Sequence, residues 1–391
     1  MNTTDHPAVP RPASVVVIGA GPIGIETAVE LGRRGLEAHV VDAGAIGQQI
    51  VAFPPATRWF SSPERLGIAG IPFTTPAADK GTREQYLAYL RSVVDAFDVR
   101  VSTYLRVGEV AARPGGGFRL RATERSGGER ILEADALVVA TGGTARPRRL
   151  GVSGEDLPHV HHTIGEPHCF HGRRLLIVGA RNSACDAAVL AYRCGARVTL
   201  CHRGPAIHER VKYWIKPELE AMIRSGQIET RFDTEVVEIG TSEVRFREVG
   251  GGRESSGGHD DVLLCIGFES DQGLLAGLGV ELLGEAAAVR HDPLTMETSV
   301  PGVYVAGTVV AGTQARFKVY IENSHVHARR IAAARRTSSS ASASLAPTPH
   351  RRSSRGPRWA RRHTRPGPAQ SCSGPPGPAP STSTVLLPTT A

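Results

Sequence analysis

The sequence predicts an α/β fold: two strand-helix-strand units, the second inserted into the first, followed by a C-terminal tail without a core. Three observations carry this. Residues 15–42 read VVVIGAGPIGIETAVELGRRGLEAHVVD: an apolar strand, three glycines in G-x-G-x-x-G spacing, an amphipathic helix, and a second apolar strand ending in an acid. Residues 175–203, LLIVGARNSACDAAVLAYRCGARVTLCHR, repeat that order, and an internal repeat says more than either copy alone. Past Arg336 the chain turns to Ser, Pro, Gly and Arg, too poor in apolar residues to pack, so 337–391 reads as a disordered basic tail.

In the first unit Gly19 permits the tight turn from strand to helix, Gly21 lets backbone approach a pyrophosphate, and Gly24 lets helix and strand pack closely. Asp42, at the end of the second strand, can accept a hydrogen bond from a ribose hydroxyl. This is the fingerprint of a Rossmann-like dinucleotide site, with the pyrophosphate on the free N–H groups of the helix N-terminus. A long Gly- and Pro-rich loop follows, expected to fold over whatever the unit binds. Thr82 and Gln85 form a capping box ahead of a helix whose stripe is Tyr86, Leu87, Leu90, Val93, Val94 and Phe97. Three β-like runs, VRVSTY, EVAAR and FRLRAT, are expected to form a small antiparallel insert before the buried strand ADALVVATGG, which ends at Thr141 and Gly142.

In the repeat, Gly179 begins the turn, Arg181 stands where the middle glycine is usual, and Ala184 takes the third position. Where Asp42 closed the first copy, His202 and Arg203 stand with no acid. An acid there selects a free ribose 2′-OH, whereas Arg accommodates a 2′-phosphate, so the second site is expected to prefer NADPH; the alternative is a solvated Arg at a strand end. A helical segment with Trp214, Ile215, Leu219 and Met222 should pack on this unit. Strands at 261–271 and 299–314 lead back to the first unit. The last helix, from about 319, points its N-terminus at the first site, where a flavin gathers negative charge on reduction.

Of 391 residues, 46 are Lys or Arg against 38 Asp or Glu, a formal charge of +8. Seven of the arginines lie in 337–391 without an acid, so the body carries only +1 and gives no electrostatic case for nucleic acid or an anionic membrane. No signal peptide and no membrane span is expected, and six Cys without C-x-x-C or zinc spacing suggest free thiols, no metal and a cytoplasmic setting.

The order G-A-G-P-I-G, A-T-G, G-A-R-N-S-A, H-R-G, I-G-F and G-V-Y-V-A-G resembles that of low-molecular-weight thioredoxin-reductase-like flavoproteins. The segments FSSPERLGIAGIPF (60–73), REQYLAYLRSVV (83–94), GARNSACDAA (179–188), WIKP (214–217) and YIENSHVH (320–327) resemble, more narrowly, the bacillithiol-disulfide reductase family. The resemblance spans about 14–335. It implies FAD held by 14–160 with 272–336, NADPH held by 161–271, and a homodimer or homotetramer. It places Gly19, Gly21, Pro22, Gly24, Asp42, Gln49 (or Gln48), Val107, Thr141, Gly142, Gly307, Ile321 and Glu322 around FAD. Gly179, Arg181, Asn182, Ser183, Ala184, His202, Arg203 and Gly267 would take NADPH.

The chain departs from these relatives in three ways. Before the second glycine turn, EPHCFHGRR offers Cys169 alone where thioredoxin reductases carry C-x-x-C, and Ile23 stands where many members of the narrower family have Cys. Thr308 also replaces an Asp common there. Cys185 and Cys194 are expected in a helix, Cys201 and Cys265 at strand ends, all inert. No catalytic residue can be named; His161 and His162 are candidates by position alone. If the units rotate against each other, as in thioredoxin reductases, 158–172 and 268–272 would be hinges. The expected reaction is hydride transfer from NADPH to the flavin and then to a low-molecular-weight thiol disulfide. The alternatives are a ferredoxin or quinone reductase, which needs no Cys, a flavin monooxygenase, whose F-x-G-x-x-x-H is unmatched at 157–163, and a redox sensor without turnover.

Overall fold

The computed structural model describes residues 13–76, 79–316 and 318–343. Its first half follows the sequence closely. β1 (Ala13–Ile18) enters the glycine turn, α1 (Pro22–Gly32) leaves it, and β2 (Ala38–Val41) runs parallel to β1. The strands are continuous apolar runs because both faces are covered; Val15, Val17, Val40 and Val41 are fully buried. The loop after Asp42 holds α2 (Gln48–Val51) and a 3-10 turn at Pro63–Arg65 before α3 (Arg83–Ala96). The Thr82–Gln85 capping box is present. Tyr86 and Tyr89 of α3 pin the loop: Tyr86 Oη donates to Leu66 O at 3.0 Å, Tyr89 Oη donates to Ile71 O at 2.6 Å and accepts from Ile68 N at 2.7 Å.

The antiparallel insert differs from expectation. VRVSTY supplies β3 (Arg100–Ser102), which pairs parallel with β2 and is the edge of the main sheet. The insert is β4 (Leu105–Ala112) and β5 (Phe118–Glu124), closed by β6 (Glu129–Val139). β6 is one long strand whose exposed polar half pairs with β5 and whose buried half, Ala134 onward, pairs with β1. A strand that passes from a sheet's solvated margin into its core changes character midway, which is why it reads as two.

Two short strands, β7 (Arg146–Pro147) and β8 (Val160–His161), lead to the repeat: β9 (Arg174–Val178), α4 (Asn182–Arg193) and β10 (Arg197–Cys201). α5 (Lys216–Arg224) starts later than expected, leaving Trp214 and Ile215 in the preceding turn, and β11 (Glu229–Arg231) follows. β12 (Thr234–Ile239), β13 (Glu243–Glu248) and β14 (Glu254–Gly258) form a three-stranded antiparallel sheet absent from the sequence reading. β15 (Asp261–Leu264) ends the unit, and β16 (Phe268–Glu269) pairs antiparallel with β7. α6 (Gly273–Gly277), the hairpin β17 (Leu282–Leu283) with β18 (Ala288–Val289), and β19 (Val303–Val305) complete the return.

The first sheet has the order β3-β2-β1-β6-β5-β4, with β19 also on β6; the second has the order β11-β10-β9-β15-β8. Both lie in one compact unit. The last helix, α7 (Ile321–Ala343), packs on α1, buries Ala328, Ile331 and Ala332, and continues past Arg336, where the composition changes. The remainder of the expected tail, 344–391 with Cys372, lies outside the described residues.

Candidate functional site

Parallel sheets bind ligands at the carboxyl ends of their strands, and here those ends face one cleft of about 3030 Å³. In the first turn Gly19 takes φ +116°, and a Cβ on it would lie 2.4 Å from Ala140 O. A Cβ on Gly24 would lie 1.9 Å from Gly19 O, so α1 sits on β1 at a distance only glycine allows. Gly21 faces open space, with nothing within 4 Å of its would-be Cβ. It is also the N-cap of α1, which has no side-chain cap and no acid in its first turn. Unsatisfied N–H groups at a bare helix end on an open cleft fit a pyrophosphate.

Asp42 accepts from Ala20 N at 2.7 Å and Gly44 N at 2.8 Å, each oxygen keeping a lone pair for a ribose hydroxyl. Burial raises its carboxyl above the usual value, against those two N–H groups. Gln49 is locked by Nε2 donating to Thr141 O at 2.6 Å and by Thr144 Oγ1 donating to Oε1 at 2.8 Å, which ties α2 to the A-T-G segment.

The second turn is built alike. Gly179 has φ +134° and would meet Cys265 O at 2.5 Å and the Ala184 methyl at 3.3 Å. α4 likewise lacks a side-chain cap and an acid in its first turn. Asn182 Oδ1 accepts from Lys212 N at 2.9 Å, fastening the 204–215 loop beside it. His202 is pushed below its ordinary value by burial and by Arg203, so the exposed guanidinium of Arg203 supplies the charge at the end of β10. Arg181, expected beside the phosphates, lines the cleft but donates Nη1 to Ala315 O at 3.3 Å, across to the segment before α7.

Of the residues singled out in the sequence, Gly19, Gly21, Pro22, Asp42, Gln49, Val107, Thr141, Gly142, Gly307, Ile321 and Glu322 line the cleft from the first unit. Gly179, Arg181, Asn182, Ser183, His202, Arg203 and Gly267 line it from the second. Gly24 and Ala184 do not reach it; both are interior packing positions. Glu322, in the first turn of α7, accepts from Ser61 Oγ.

Several contacts in and around the cleft were not read from the sequence. Glu26, inside α1, accepts from Ala69 N at 3.1 Å and meets His325 Nδ1 of α7 at 2.7 Å, which raises the His325 pKa. Gly307 N donates to His327 Nδ1 at 3.1 Å; burial lowers His327 to about 4, so it is a neutral acceptor. His162 and Arg148 line the cleft with Nδ1 and Nε buried and unpartnered. His161, by contrast, is tied to Asp261 at 3.1 Å and packs edge-on against Phe170, a structural position.

Thiol chemistry has little to work with among the described residues. Ile23 is buried at the cleft wall, 3.4 Å from where a Cβ on Gly307 would stand. Burial pushes Cys185, Cys201 and Cys265 up to about 12, and Cys265 is the one described cysteine lining the cleft. Cys194 caps α4 rather than lying in it, and Cys169 is exposed in a short 3-10 helix. Among these residues no cluster of His, Cys, Asp and Glu could hold a metal, and no helix is long and apolar enough to cross a membrane.

The pyridine nucleotide-disulphide oxidoreductase family model matches residues 16–307. Bacilliredoxin reductase Bdr of Bacillus subtilis is 34% identical over 319 residues, 81% of this chain and 96% of that protein. A ferredoxin–NADP reductase of Ignicoccus hospitalis is 29% identical over 300 residues, 75% of this chain and 89% of its own. Among solved structures, bacillithiol disulfide reductase Bdr (YpdA) from Bacillus cereus superposes with a TM-score of 0.78 at 34% identity, covering 83% of this chain and 99% of that one.

Proposed function

Because the chain belongs to the pyridine nucleotide-disulphide oxidoreductase family, we propose that it is an FAD-dependent NADPH oxidoreductase that reduces a low-molecular-weight thiol disulfide. The balance is NADPH, a proton and one disulfide in, NADP⁺ and two thiols out. One observation carries the reading: two uncapped helix N-termini, each behind a glycine turn, open on a single cleft. The flavin would take the hydride and return the electron pair. In this reading 14–160 with 272–336 hold FAD and 161–271 hold NADPH, in a cytoplasmic homodimer or homotetramer.

The chain's own residues bind and orient. Gly21 and the α1 N-terminus take the FAD pyrophosphate, and Asp42 takes its ribose. Gln49 fixes the Thr141 carbonyl and the Thr144 hydroxyl at the cleft wall, in the segment that would border the flavin. His327, neutral and buried, holds the Gly307 N–H. Gly179, Asn182 and Ser183 take the NADPH pyrophosphate, and Arg203 its 2′-phosphate.

A second reading rests on a specific observation: with Ile23 at the cleft wall and burial pushing Cys265 up to about 12, the described residues place no reactive thiol in the cleft. A reductase that passes electrons to a ferredoxin-like carrier needs none. The test is anaerobic. The purified full chain is bleached with NADPH, then offered a small disulfide or a ferredoxin. Colour restored by the disulfide supports the leading reading, and colour restored by the ferredoxin alone selects the second. Protein that takes up no flavin overturns both.

A further inference from the structure

Two of the five segments behind the narrower family resemblance, 60–73 and 214–217, are far apart in sequence but meet in space. The Phe60 and Trp214 rings lie 6.0 Å apart. Two ammonium groups flank them: Lys80 Nζ is 4.8 Å from the Trp214 ring centre, and Lys212 Nζ is 5.5 Å from Phe60 and 5.9 Å from Trp214. Phe60, Lys80 and Lys212 line the cleft.

Ring faces attract these cations without neutralising them. Among the described residues neither lysine has a carboxylate within ion-pair distance. Asp79, next to Lys80, is turned to Arg58 at 3.1 Å and to the Lys80 backbone N–H at 2.7 Å. Glu64 feels the field of Lys80 without pairing with it. Glu322 is engaged by Ser61. Two like charges share one ring pair at a cleft wall, where low-dielectric surroundings focus the field.

We propose that this junction recognises the acceptor, and that the acceptor is a small disulfide bearing carboxylates, with Lys80 and Lys212 as its specificity-determining residues. The proposal rests on the disulfide-reductase reading above. The NADPH phosphates are served elsewhere, by the α4 N-terminus and Arg203. The Lys212 backbone is fixed to Asn182, while its ammonium is turned away, toward Phe60.

The test uses the flavin-loaded full chain, with glutathione disulfide as the carboxylate-bearing probe and bis(2-hydroxyethyl) disulfide as the uncharged one. Lys80→Met and Lys212→Met should each lower the ratio of kcat/KM for the charged over the uncharged disulfide by about tenfold. Calorimetric binding of glutathione disulfide to the oxidised protein, without NADPH, should weaken by about the same factor and weaken further with salt. Equal losses for both disulfides would make the junction a strap between the units and overturn the proposal. A raised KM for NADPH with an unchanged ratio would assign the lysines to phosphate and overturn it too. Lysine-dependent binding of glutathione disulfide without turnover, in protein that NADPH still bleaches, would sink the disulfide-reductase reading and leave the carboxylate site standing. Absence of lysine-dependent binding would sink the site, whatever the turnover.

Discussion

Gly24→Ala tests how the first glycine turn is held. A Cβ at position 24 would stand 1.9 Å from Gly19 O and 3.1 Å from Gly19 C, whereas real Cβ atoms essentially never come within 3.0 Å of another heavy atom. The obstacle is backbone, not the end of a flexible side chain, so α1 must retreat from β1 by about 1 Å. That motion opens the seam between α1 and a sheet whose Val15 and Val17 are fully buried. Overpacking typically costs 1–3 kcal/mol, and with no room to yield the cost here should be about 3 kcal/mol. For a compact unit of this size that lowers Tm by roughly 4–5 °C. Gly21→Ala is the control. Nothing lies within 4 Å of its would-be Cβ, so the flavin-free protein should melt within about 1 °C of wild type. The added methyl nonetheless projects over the α1 N-terminus and should weaken FAD binding. Thermal melts of flavin-free protein, with the flavin-to-protein ratio read from the visible spectrum, separate the two. A Gly24→Ala protein that melts with wild type and holds full flavin would refute the reasoning, as would a Gly21→Ala protein that loses stability and keeps its flavin.

Arg203→Ala should raise KM for NADPH roughly 10- to 100-fold and leave NADH nearly untouched; steady-state kinetics with both nucleotides decides, and equal losses would return Arg203 to the solvated strand end. Glu26→Ala removes the acceptor of Ala69 N–H and the partner of His325 and should cost about 2–4 kcal/mol in urea unfolding. Since the pair raises the His325 pKa, its contribution is full below about pH 6.5 and fades as pH rises through the raised value, so the gap between variant and wild type should narrow by pH 9. His39, His259 and His327 run the other way: each is lowered to about 4. Their contributions are full above about pH 6.5 and are lost between there and pH 4, at most about 3 kcal/mol each. His259 is buried with both ring nitrogens unpartnered, so His259→Leu should flatten that acid decline in urea midpoints from pH 7 to 4; an unchanged slope would remove His259 as a contributor.

Features written in local patterns were legible in the sequence. Both glycine turns were readable because a positive φ at Gly19 and Gly179 admits few other residues, and the Thr82–Gln85 cap because its two partners stand three residues apart. β3 was misassigned because a short run of alternating residues looks the same whether its partner lies parallel or antiparallel. The β12–β14 sheet went unread because β14 is Glu-Ser-Ser-Gly-Gly, which has no apolar rhythm. Glu26 with His325 and Phe60 with Trp214 join residues so far apart in the chain that only the packing of α7 on α1, or of one unit on the other, brings them together. Arg181 is placed by position at the second glycine turn, and its reach to Ala315 O is a long-range contact that no local pattern carries.

The β7–β16 ribbon gives the chain a modular character. Arg148 N donates to Gly267 O at 3.0 Å and Ala145 N to Glu269 O at 3.0 Å, so everything between departs and returns through one spot. To the rest of the molecule, the whole second unit is a very long hairpin loop. No ladder hydrogen bond of the seven-stranded sheet passes through it. Excising 149–266 and closing the gap with a tight turn would leave those ladders intact, and a foreign insert would need only matched ends. In the proposed reading, the part that chooses the reductant can therefore be exchanged or tuned with little disturbance to the sheet that holds the flavin.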